Sequence, residues 1–551
     1  MEIRVYEAVA KTLGRLGVER AFGLVGSGNF GLVDHMTRDC GVAFYASRHE
    51  EAAVAMADGY ARVSGKLGVC TVHQGPGVTN TLTALTEAVK NGTPLLLLAG
   101  DTATTALYQN LDVDQGSVVR SVGAGVEHIR AAHTAVEDVA RALRRATFER
   151  RPVSISLPID LQEQTCEAEE PPAFAEELVA AARPSVEAVA RVIELLEASS
   201  RPAIIAGRGA VLARARPQLE ALGERVGALF ATSMMARGFF TGSPFDLGVS
   251  GGFASPLAAR LLGEADVVLS FGASLNAWTT KHGSLFSPSA GIVHCDLERA
   301  AIGRIHPVTL GVVGDAAETA GALAENLDRR GVSLEGFRTE TVLRDIEGFR
   351  WEEEFEDRSG DGAVDPRTVL MALDKLLPEQ RTVAVDCGHF AGFPARHLSV
   401  PDAAGFVFAE AFQAVGLGLG AGMGAAVARP DRLAVVVVGD GGLLMSLGEL
   451  DAAVHLGIPL LIVVMNDAGY GAEVHHFRSL DLPTDLARFR ETDFAAVARA
   501  IGAEGIEVRS TGDLDRIKGW VGAPEGVMVL DCKVNPEVEG EYLREAFVTE
   551  A

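Results

Sequence analysis

The chain has 551 residues, of which 48% are hydrophobic and 22% are charged, and its formal net charge at pH 7 is -25. This length and composition are typical of a soluble globular protein with about three domains. Nucleic acids and anionic membranes are bound through basic patches, so the excess of acidic residues argues against both partners. A small anionic substrate can still bind at a local site.

Residues 1–25 predict an amphipathic helix followed by a strand. They lack the cationic start and apolar core of a targeting signal, and no uninterrupted apolar stretch is long enough to span a membrane. The six cysteines, at positions 40, 70, 166, 295, 387 and 532, show no Cys-x-x-Cys spacing. We therefore expect reduced thiols without a disulfide framework or zinc site, and a cytoplasmic protein.

Short β-branched runs alternate along the chain with helical stretches rich in alanine and leucine, which predicts α/β units with parallel sheets. Two segments interrupt this alternation. Residues 163–184 are acidic and contain Pro171-Pro172, and residues 329–366 are highly charged, so both are interpreted as linkers. The predicted fold class is α/β, with three domains that are each a mostly parallel sheet flanked by helices, at residues 1–170, 185–330 and 360–551.

A diphosphate-binding turn is predicted in the third domain. The apolar run Leu433 to Val438 predicts a buried strand, and it ends at the sequence Gly439-Asp440-Gly441-Gly442. The glycines let backbone amides approach a diphosphate closely, and the helical stretch Leu443 to Leu456 would direct its positive end towards the anion. Asp440 supplies a hard oxygen ligand for a cation.

A second apolar strand, Pro459 to Met465, ends at Asn466-Asp467-Ala468-Gly469-Tyr470-Gly471. The carboxyl ends of parallel strands meet at the same edge of a sheet, so these polar residues are expected beside Asp440. Two side-chain oxygen donors, a backbone carbonyl and two phosphate oxygens suit octahedral magnesium. The two strands together predict a magnesium and diphosphate site.

The spacing of these two elements resembles the diphosphate and metal motif of thiamine diphosphate enzymes. A second signature lies in Arg48-His49-Glu50-Glu51, Ala57 to Arg62 and Gln74 to Asn80. It is similar to the pyrimidine-binding half of the acetolactate synthase, pyruvate decarboxylase and benzoylformate decarboxylase family. The resemblance implies a pyrimidine-binding domain at 1–170, a central domain at 185–330 and a diphosphate-binding domain at 360–551.

The resemblance also implies roles for individual residues. Glu50 takes the position of the buried glutamate that exchanges a proton with N1′ of the cofactor's aminopyrimidine, which requires a raised pKa. Metal ligation falls to Asp440, Asp467 and the carbonyl of Gly469. The residues expected to contact the cofactor are Gly388, His389, Val415, Gly439, Gly441, Gly442 and Tyr470, with Val415 as the prop for its bent conformation.

Three further residues form a predicted proton-handling set. Ser27 follows Gly26 at the position where benzoylformate decarboxylases have a serine, and His73 precedes Gln74 where they have a histidine. Glu473 matches a catalytic glutamate of pyruvate decarboxylases. These groups would hydrogen-bond a 2-oxo acid and move protons on its adducts, although Ser27 is also compatible with a plain turn and His73 with a core histidine.

The chain departs from the family pattern at several positions, and these departures restrict which activity the resemblance implies. Acetolactate synthases carry a lysine-histidine pair and a Met-Val-x-x-Trp segment, where this chain has Ser121 to Gly125 and Ala472 to His476. An anabolic acetolactate synthase is therefore disfavoured. Gly207-Arg208-Gly209-Ala210 in the central domain is a weak nucleotide signal, so FAD is left open and not predicted.

The sequence thus predicts a thiamine diphosphate- and Mg²⁺-dependent enzyme, a lyase or an acyl or aldehyde transferase. It would cleave or form a carbon-carbon bond on a 2-oxo acid, as an acetolactate synthase-like decarboxylase or carboligase that also takes an acceptor carbonyl compound. The alternative is a simple non-oxidative 2-oxo acid decarboxylase, and the hypothesis of a different class is a cofactor-binding homologue without turnover. The family resemblance implies a homodimer or homotetramer, because the Glu50 and Asp440 domains meet between subunits.

Overall fold

Three six-stranded parallel sheets organise the chain, as seen in a computed structural model that describes residues 2–167, 170–171 and 180–543. The α/β fold class with three sheet-containing units is confirmed. The first predicted linker, residues 163–184, lies partly outside the described residues. None of the described helices combines the length and apolar composition that a membrane span needs.

The first sheet has the strand order β3-β2-β4-β5-β7-β6, and a small antiparallel pair, β1 with β8, lies beside it. Its elements are β1 (Glu2–Arg4), α1 (Val5–Arg15), β2 (Arg20–Gly23), α2 (Phe30–Asp39), β3 (Ala43–Ala46), α3 (Glu50–Ser64), β4 (Gly68–Val72), α4 (Pro76–Thr79), α5 (Leu82–Lys90), β5 (Leu95–Asp101), α6 (Gln115–Ser121), β6 (Gly125–His128), α7 (Ala135–Glu149), β7 (Pro152–Pro158), α8 (Ile159–Gln162) and β8 (Thr165–Glu167).

The central sheet has the order β11-β10-β9-β12-β13-β14, a doubly wound arrangement. Its elements, together with one linker helix, are α9 (Val186–Glu197), β9 (Pro202–Ala206), α10 (Arg208–Leu212), α11 (Arg216–Val226), β10 (Leu229–Thr232), β11 (Asp246–Val249), α12 (Pro256–Gly263), β12 (Val267–Phe271), α13 (Ala277–Thr280), β13 (Gly291–Asp296), β14 (Leu310–Val313), α14 (Ala316–Arg330) and the linker helix α15 (Glu340–Gly348).

The third sheet has the order β16-β15-β17-β18-β20-β19. Its elements are α16 (Pro366–Leu376), β15 (Arg381–Val385), α17 (Gly392–His397), β16 (Phe406–Phe408), α18 (Gly418–Ala428), β17 (Leu433–Gly439), α19 (Asp440–Met445), α20 (Leu447–Leu456), β18 (Leu460–Asn466), α21 (Gly471–Ser479), α22 (Phe494–Ile501), β19 (Glu504–Val508), α23 (Lys518–Gly522) and β20 (Val527–Lys533).

The first and third sheets share one topology. Numbered within its own sheet, each runs in the order 2-1-3-4-6-5, and every pair of neighbouring strands is parallel. This likeness has no visible counterpart as a repeat in the sequence. The fold therefore repeats one α/β unit at the two ends of the chain.

The two repeated units pack directly on each other through α3 and α18. A Cβ atom built on Gly424 would lie 1.9 Å from the carbonyl oxygen of Met56, and one on Gly59 would lie 2.0 Å from that of Ala421. The backbones of the two helices therefore touch, which only glycine permits. One hydrophobic cluster continues through this contact, from Phe22 in the first sheet to Val436 in the third.

The predicted diphosphate-binding helix is divided in two. The sequence pattern predicts one helix from Leu443 to Leu456, whereas the structure has α19 starting at Asp440 and α20 starting at Leu447. Ser446 separates them with non-helical backbone angles. Asp440 is thus the first residue of a helix that begins directly at the end of β17, which brings the backbone amides of the following glycines to the sheet edge.

Candidate active site

Both repeated sheets place some of the predicted residues at their topological switch points. In an open parallel sheet, the loops after two neighbouring strands diverge where the strand order reverses, and a crevice opens there. This point lies between β2 and β4 in the first sheet, which are followed by Ser27 and His73. In the third sheet it lies between β15 and β17, which are followed by Gly388 and Asp440.

The first group joins Ser27 and His73. The Ser27 hydroxyl lies 3.0 Å from Nε2 of His73, and both residues keep solvent-accessible surface. A Cβ on Gly26 would lie 2.2 Å from Cδ2 of His73, and one on Gly28 would lie 1.9 Å from Oε1 of Gln74. The two glycines therefore let the Ser27 loop rest against the His73 loop.

Glu50 begins α3 close to the same loop. Its Oε2 accepts a hydrogen bond of 3.0 Å from the side-chain amide of Asn80, and a Cβ on Gly77 would lie 3.7 Å from its Oε1. The expected burial is not complete within one chain, since Glu50 is partly exposed. Burial raises the pKa of the neighbouring residue Glu51.

Glu449 on α20 holds the turn that leads into α3. Its Oε1 accepts hydrogen bonds of 2.9 Å from the backbone amides of both Arg48 and His49, while the carboxyl group is buried. Sequence reasoning missed this residue because a glutamate inside a helix carries no local signal. The contact couples the start of the Glu50 helix to the diphosphate-binding unit.

The second group centres on Asp440 and Asp467. Oδ1 of Asp440 accepts from the amide of Gly441 at 2.8 Å, and Oδ2 accepts from that of Gly469 at 3.3 Å. Burial together with the charge of Asp467 raises the pKa of Asp440, and burial raises the pKa of Asp467. A divalent cation bound between them would offset both charges, so the donor set fits the predicted magnesium.

Two aromatic side chains lie beside this pair. Nε2 of His389 lies 3.6 Å from Oδ2 of Asp467, and burial lowers the pKa of His389 to about 4, so its ring is neutral at pH 7. A Cβ on Gly471 would lie 2.2 Å from Nδ1 of His389, and one on Gly441 would lie 2.6 Å from Cε1 of Tyr470. These close contacts with the rings leave no room for a Cβ atom, so both positions require glycine.

Val415 is held against the diphosphate turn by Asp386. The buried Asp386 carboxylate accepts hydrogen bonds from the amides of Gly416 and Gly418, with a shortest distance of 2.9 Å. A Cβ on Gly442 would lie 2.3 Å from Oδ2 of Asp386 and 3.3 Å from Cγ1 of Val415. Sequence reasoning missed Asp386, although it directly precedes the predicted loop.

Glu473 and Gln115 differ in whether their polar side-chain atoms are accessible to a substrate. Glu473 is exposed in the first turn of α21, and its charge contributes to raising the pKa of the Cys387 thiol, which is chiefly raised by burial. Gln115 is buried at the start of α6. Its Oε1 accepts from the Gly75 amide at 2.8 Å and its Nε2 donates to the Gly100 carbonyl at 3.0 Å, so it supports the fold.

The glycines of the central turn have a packing role. A Cβ on Gly207 would lie 2.2 Å from the carbonyl oxygen of Gly272, and a Cβ on Gly209 would lie 2.7 Å from the Cα atom of Gly272. The amide of Gly209 also donates to that carbonyl at 3.0 Å. The Gly-x-Gly pattern is thus explained by contact between two loops.

The predicted residues fall into two groups that remain separate within one chain. Ser27, Glu50 and His73 lie on the first unit, and the metal and diphosphate residues lie on the third. Among the residues that the structure describes, no hydrogen bond or ion pair joins one group to the other.

Comparison with known proteins identifies the class of enzyme to which these two groups belong. Three regions match models of thiamine pyrophosphate enzymes: residues 3–118 match the N-terminal TPP binding domain, 189–323 the central domain and 386–532 the C-terminal TPP binding domain. The matches follow the three sheets in order. The protein is therefore an enzyme that depends on thiamine diphosphate and acts on carbon-carbon bonds.

Relatives that match over most of their length identify the family within this class of enzymes. The chain is 30% identical to a sulfoacetaldehyde acetyltransferase of Castellaniella defragrans over 542 residues, which cover 92% of this chain and 88% of that protein. It is 30% identical to a putative acetolactate synthase large subunit of Mycobacterium tuberculosis, covering 95% and 96%. An acetolactate synthase large subunit of Haemophilus influenzae is 28% identical, with coverage of 92% and 90%. The chain belongs to the acetolactate synthase-like family of thiamine diphosphate enzymes.

Proposed function

We propose that the protein cleaves a 2-oxo acid beside its carbonyl group and transfers the remaining acyl unit to an acceptor carbonyl compound, with thiamine diphosphate and Mg²⁺ as cofactors. The observation that carries the proposal is the pair of residue groups at the carboxyl edges of the repeated sheets, one with Ser27 and His73 and the other with Asp440 and Asp467. Relatives named for acetolactate synthesis and acetyl transfer support the same class of chemistry.

The diphosphate-binding unit offers the cofactor-holding residues. Asp440, Asp467 and the Gly469 carbonyl would hold Mg²⁺. When bound, thiamine diphosphate supplies a nucleophilic carbon and an electron sink. The proposed cofactor contacts are Gly388, His389, Val415, Gly439, Gly441, Gly442 and Tyr470.

The remaining predicted residues handle protons. Glu50 holds a proton for exchange with N1′ of the aminopyrimidine. His73, oriented by Ser27, hydrogen-bonds the carboxylate or oxo group of the substrate, since its ring lies at the carboxyl edge of the sheet with accessible surface. Glu473 would donate or accept protons at the bound substrate from the opposite unit.

A second copy of the chain would bring the two groups together. Large apolar side chains lie exposed in segments that follow the strands of the first and third sheets, and such exposure marks an interaction surface. They include Phe30, Leu107 and Tyr108 on the first unit and Met445 and Leu486 on the third. A homodimer would cover them and bury Glu50, and a homotetramer built from such dimers remains the alternative.

Simple decarboxylation is the second candidate function. The observation that favours it is the exposed carboxylate of Glu473 beside the cofactor loop, because an acid at this place would protonate the product and release an aldehyde. Glu50 argues against a homologue without turnover, since loss of this residue would be the expected sign of a degenerate site.

The domain boundaries 1–170, 185–330 and 360–551 and a cytoplasmic location remain predictions.

The proposal is tested by incubating the purified protein with thiamine diphosphate, Mg²⁺ and a panel of 2-oxo acids that includes pyruvate and benzoylformate. Each acid is supplied with and without an acceptor aldehyde, and sulfoacetaldehyde is added as a further acceptor. Mass spectrometry of a 2-hydroxy ketone or acetohydroxy acid supports carboligation, whereas free aldehyde alone supports the decarboxylase. Absence of any product would contradict both functions.

A further inference from the structure

Glu410 follows the strand of the third unit that corresponds to the strand before Glu50 in the first. Glu50 follows β3 and Glu410 follows β16. Each of these strands is the second strand of its sheet in chain order. The helices that come next, α3 and α18, are the pair that packs between the units. Both glutamates therefore lie beyond the carboxyl ends of corresponding strands, Glu50 as the first residue of α3 and Glu410 in the loop that leads to α18.

The side chain of Glu410 reaches the predicted cofactor loop. Its Oε1 accepts a hydrogen bond of 3.2 Å from the backbone amide of Gly388, and the thiol of Cys387 also lies within hydrogen-bonding reach. Glu410 keeps some accessible surface, although burial is sufficient to raise the pKa of its carboxyl group. This combination is expected of a group that lines a cleft.

The loop that carries Glu410 is fixed at both ends by buried carboxylates. Glu87 on α5 accepts hydrogen bonds from the amides of Ala411 at 3.0 Å and Phe412 at 2.6 Å. Asp386 holds the amides of Gly416 and Gly418 at the other end. A side chain on such a loop is held in place before substrate arrives, which a catalytic group requires.

The surroundings of Glu410 keep its proton bound at neutral pH. Burial raises its pKa to about 8, and the negative charges of Asp386 and Glu87 act in the same direction. Other titratable groups nearby include the thiol of Cys387 and the phenol of Tyr542, both of which burial keeps neutral, and Glu473, whose charge also acts on that thiol. A neutral carboxylic acid can donate a hydrogen bond where a carboxylate can only accept one.

We propose that Glu410 is a further catalytic residue of this site, whose carboxyl group holds a proton on Oε2 and donates it as a hydrogen bond to the oxo oxygen of the 2-oxo acid. This inference rests on the proposed function. The amide of Gly388 occupies Oε1, so the proton lies on Oε2. The oxo oxygen of the substrate would replace the weakly hydrogen-bonding thiol of Cys387 as the partner of this proton. Negative charge develops on the oxo oxygen during reaction, so a fixed donor at this atom lowers the barrier.

The test compares the variants Glu410→Gln and Glu410→Ala with the wild-type holoenzyme. Asp246→Asn is the matched control, because Asp246 is also a carboxyl group of raised pKa, about 6 through burial, but lies on β11 in the central unit. The readouts are the pH profile of kcat/KM and the affinity for thiamine diphosphate by calorimetry. Infrared spectroscopy of the carboxylic-acid band, with and without pyruvate, reports the proton directly.

Wild-type activity should fall as the pH rises through about 8, because the carboxyl group of Glu410 then ionises. In Glu410→Gln this alkaline limb should disappear, and in Glu410→Ala kcat/KM should fall about 100-fold. Cofactor affinity should stay unchanged in Glu410→Gln, whose side-chain amide oxygen can still accept from the Gly388 amide, and in the control.

An alkaline limb that persists in Glu410→Gln, or a parallel loss of cofactor affinity, would overturn the role of Glu410 while the proposed function stands. If the wild type turns over none of the acids, the proposed function fails. The role of Glu410 is then decided by its carboxylic-acid infrared band, which is identified as the band that Glu410→Gln removes. A shift of that band on adding pyruvate supports the hydrogen bond, and an unmoved band overturns it.

Discussion

Asp440 and Asp467 show how two ordinary residues become a cation site through position alone. Each follows a strand of the third sheet, and the two strands are neighbours, so their carboxyl groups are forced together at one edge. Burial and mutual repulsion disfavour two negative charges there. The site therefore gains most from a divalent cation, which is attracted by both carboxylates.

We expect Asp440→Asn to weaken the affinity for both Mg²⁺ and thiamine diphosphate by at least about tenfold, because the metal links the diphosphate to the protein. Titration calorimetry of thiamine diphosphate in the presence of Mg²⁺ measures this loss. Asp431→Asn, in the exposed turn before β17 where Asp431 pairs with Arg429, serves as the control. An unchanged affinity in Asp440→Asn would refute the metal role.

Sequence patterns identify some residues of the site and not others, for a physical reason. Asp440 could be predicted because the glycines around it signal close backbone approach. Asp386, Glu449 and Glu410 could not, because each is a single carboxylate whose partners are backbone amides from distant segments. The partners of Glu449 lie about 400 positions away in the chain, and no local spacing records such a contact.

At the scale of elements, the contact between α3 and α18 decides how the first and third units meet. Glycines at 59, 420 and 424 bring the two helix backbones together, and a Cβ at Gly424 would lie 1.9 Å from the Met56 carbonyl. Alanine is the better helix former by about 1 kcal/mol. Close packing must therefore outweigh helix propensity at this position.

Gly424→Ala should lower the melting temperature, since overpacking at a backbone contact costs about 1–3 kcal/mol and exceeds the gain in propensity. Gly321→Ala is the matched control. Gly321 lies inside α14, where an added Cβ would meet only Cγ of Gln218 at 3.8 Å, so this variant should be neutral or slightly more stable. Thermal unfolding followed by fluorescence compares the two, and equal melting temperatures would contradict the packing argument.

The strands of the third sheet illustrate which elements a sequence specifies. The runs 433–438 and 459–465 are apolar and β-branched, and they form β17 and β18 within one residue of the predicted bounds. The antiparallel pairing of β1 with β8 was not predicted, because it joins two three-residue strands at opposite ends of the first unit. Short strands carry too few residues for a period to be recognised.

At the scale of the whole molecule, the repeated topology places equivalent sheet edges on the first and third units. The Glu50 group and the Asp440 group each line one such edge, and both edges expose apolar side chains. No described hydrogen bond joins the groups within a chain. These features are explained if two copies of the chain associate so that the first unit of one copy covers the third unit of the other.

This arrangement predicts that two inactive variants restore activity together. Glu50→Gln and Asp440→Ala should each be inactive as pure proteins, because every site of either dimer lacks one essential group. In a heterodimer, one site contains both substitutions and the other contains neither. Random pairing of equal amounts makes half of the dimers mixed, so co-expressed chains should recover about a quarter of the wild-type sites.

The measurement uses the two variants co-expressed with different affinity tags, so that the heterodimer is purified through both. Its activity should reach about half of the wild-type value per dimer, with one cofactor bound at full affinity. A co-expressed pair of Glu50→Gln chains carrying the same two tags controls for the tags and for assembly. An assembled but inactive heterodimer would show that Glu50 and Asp440 act within one chain, since each chain would then carry one defective site.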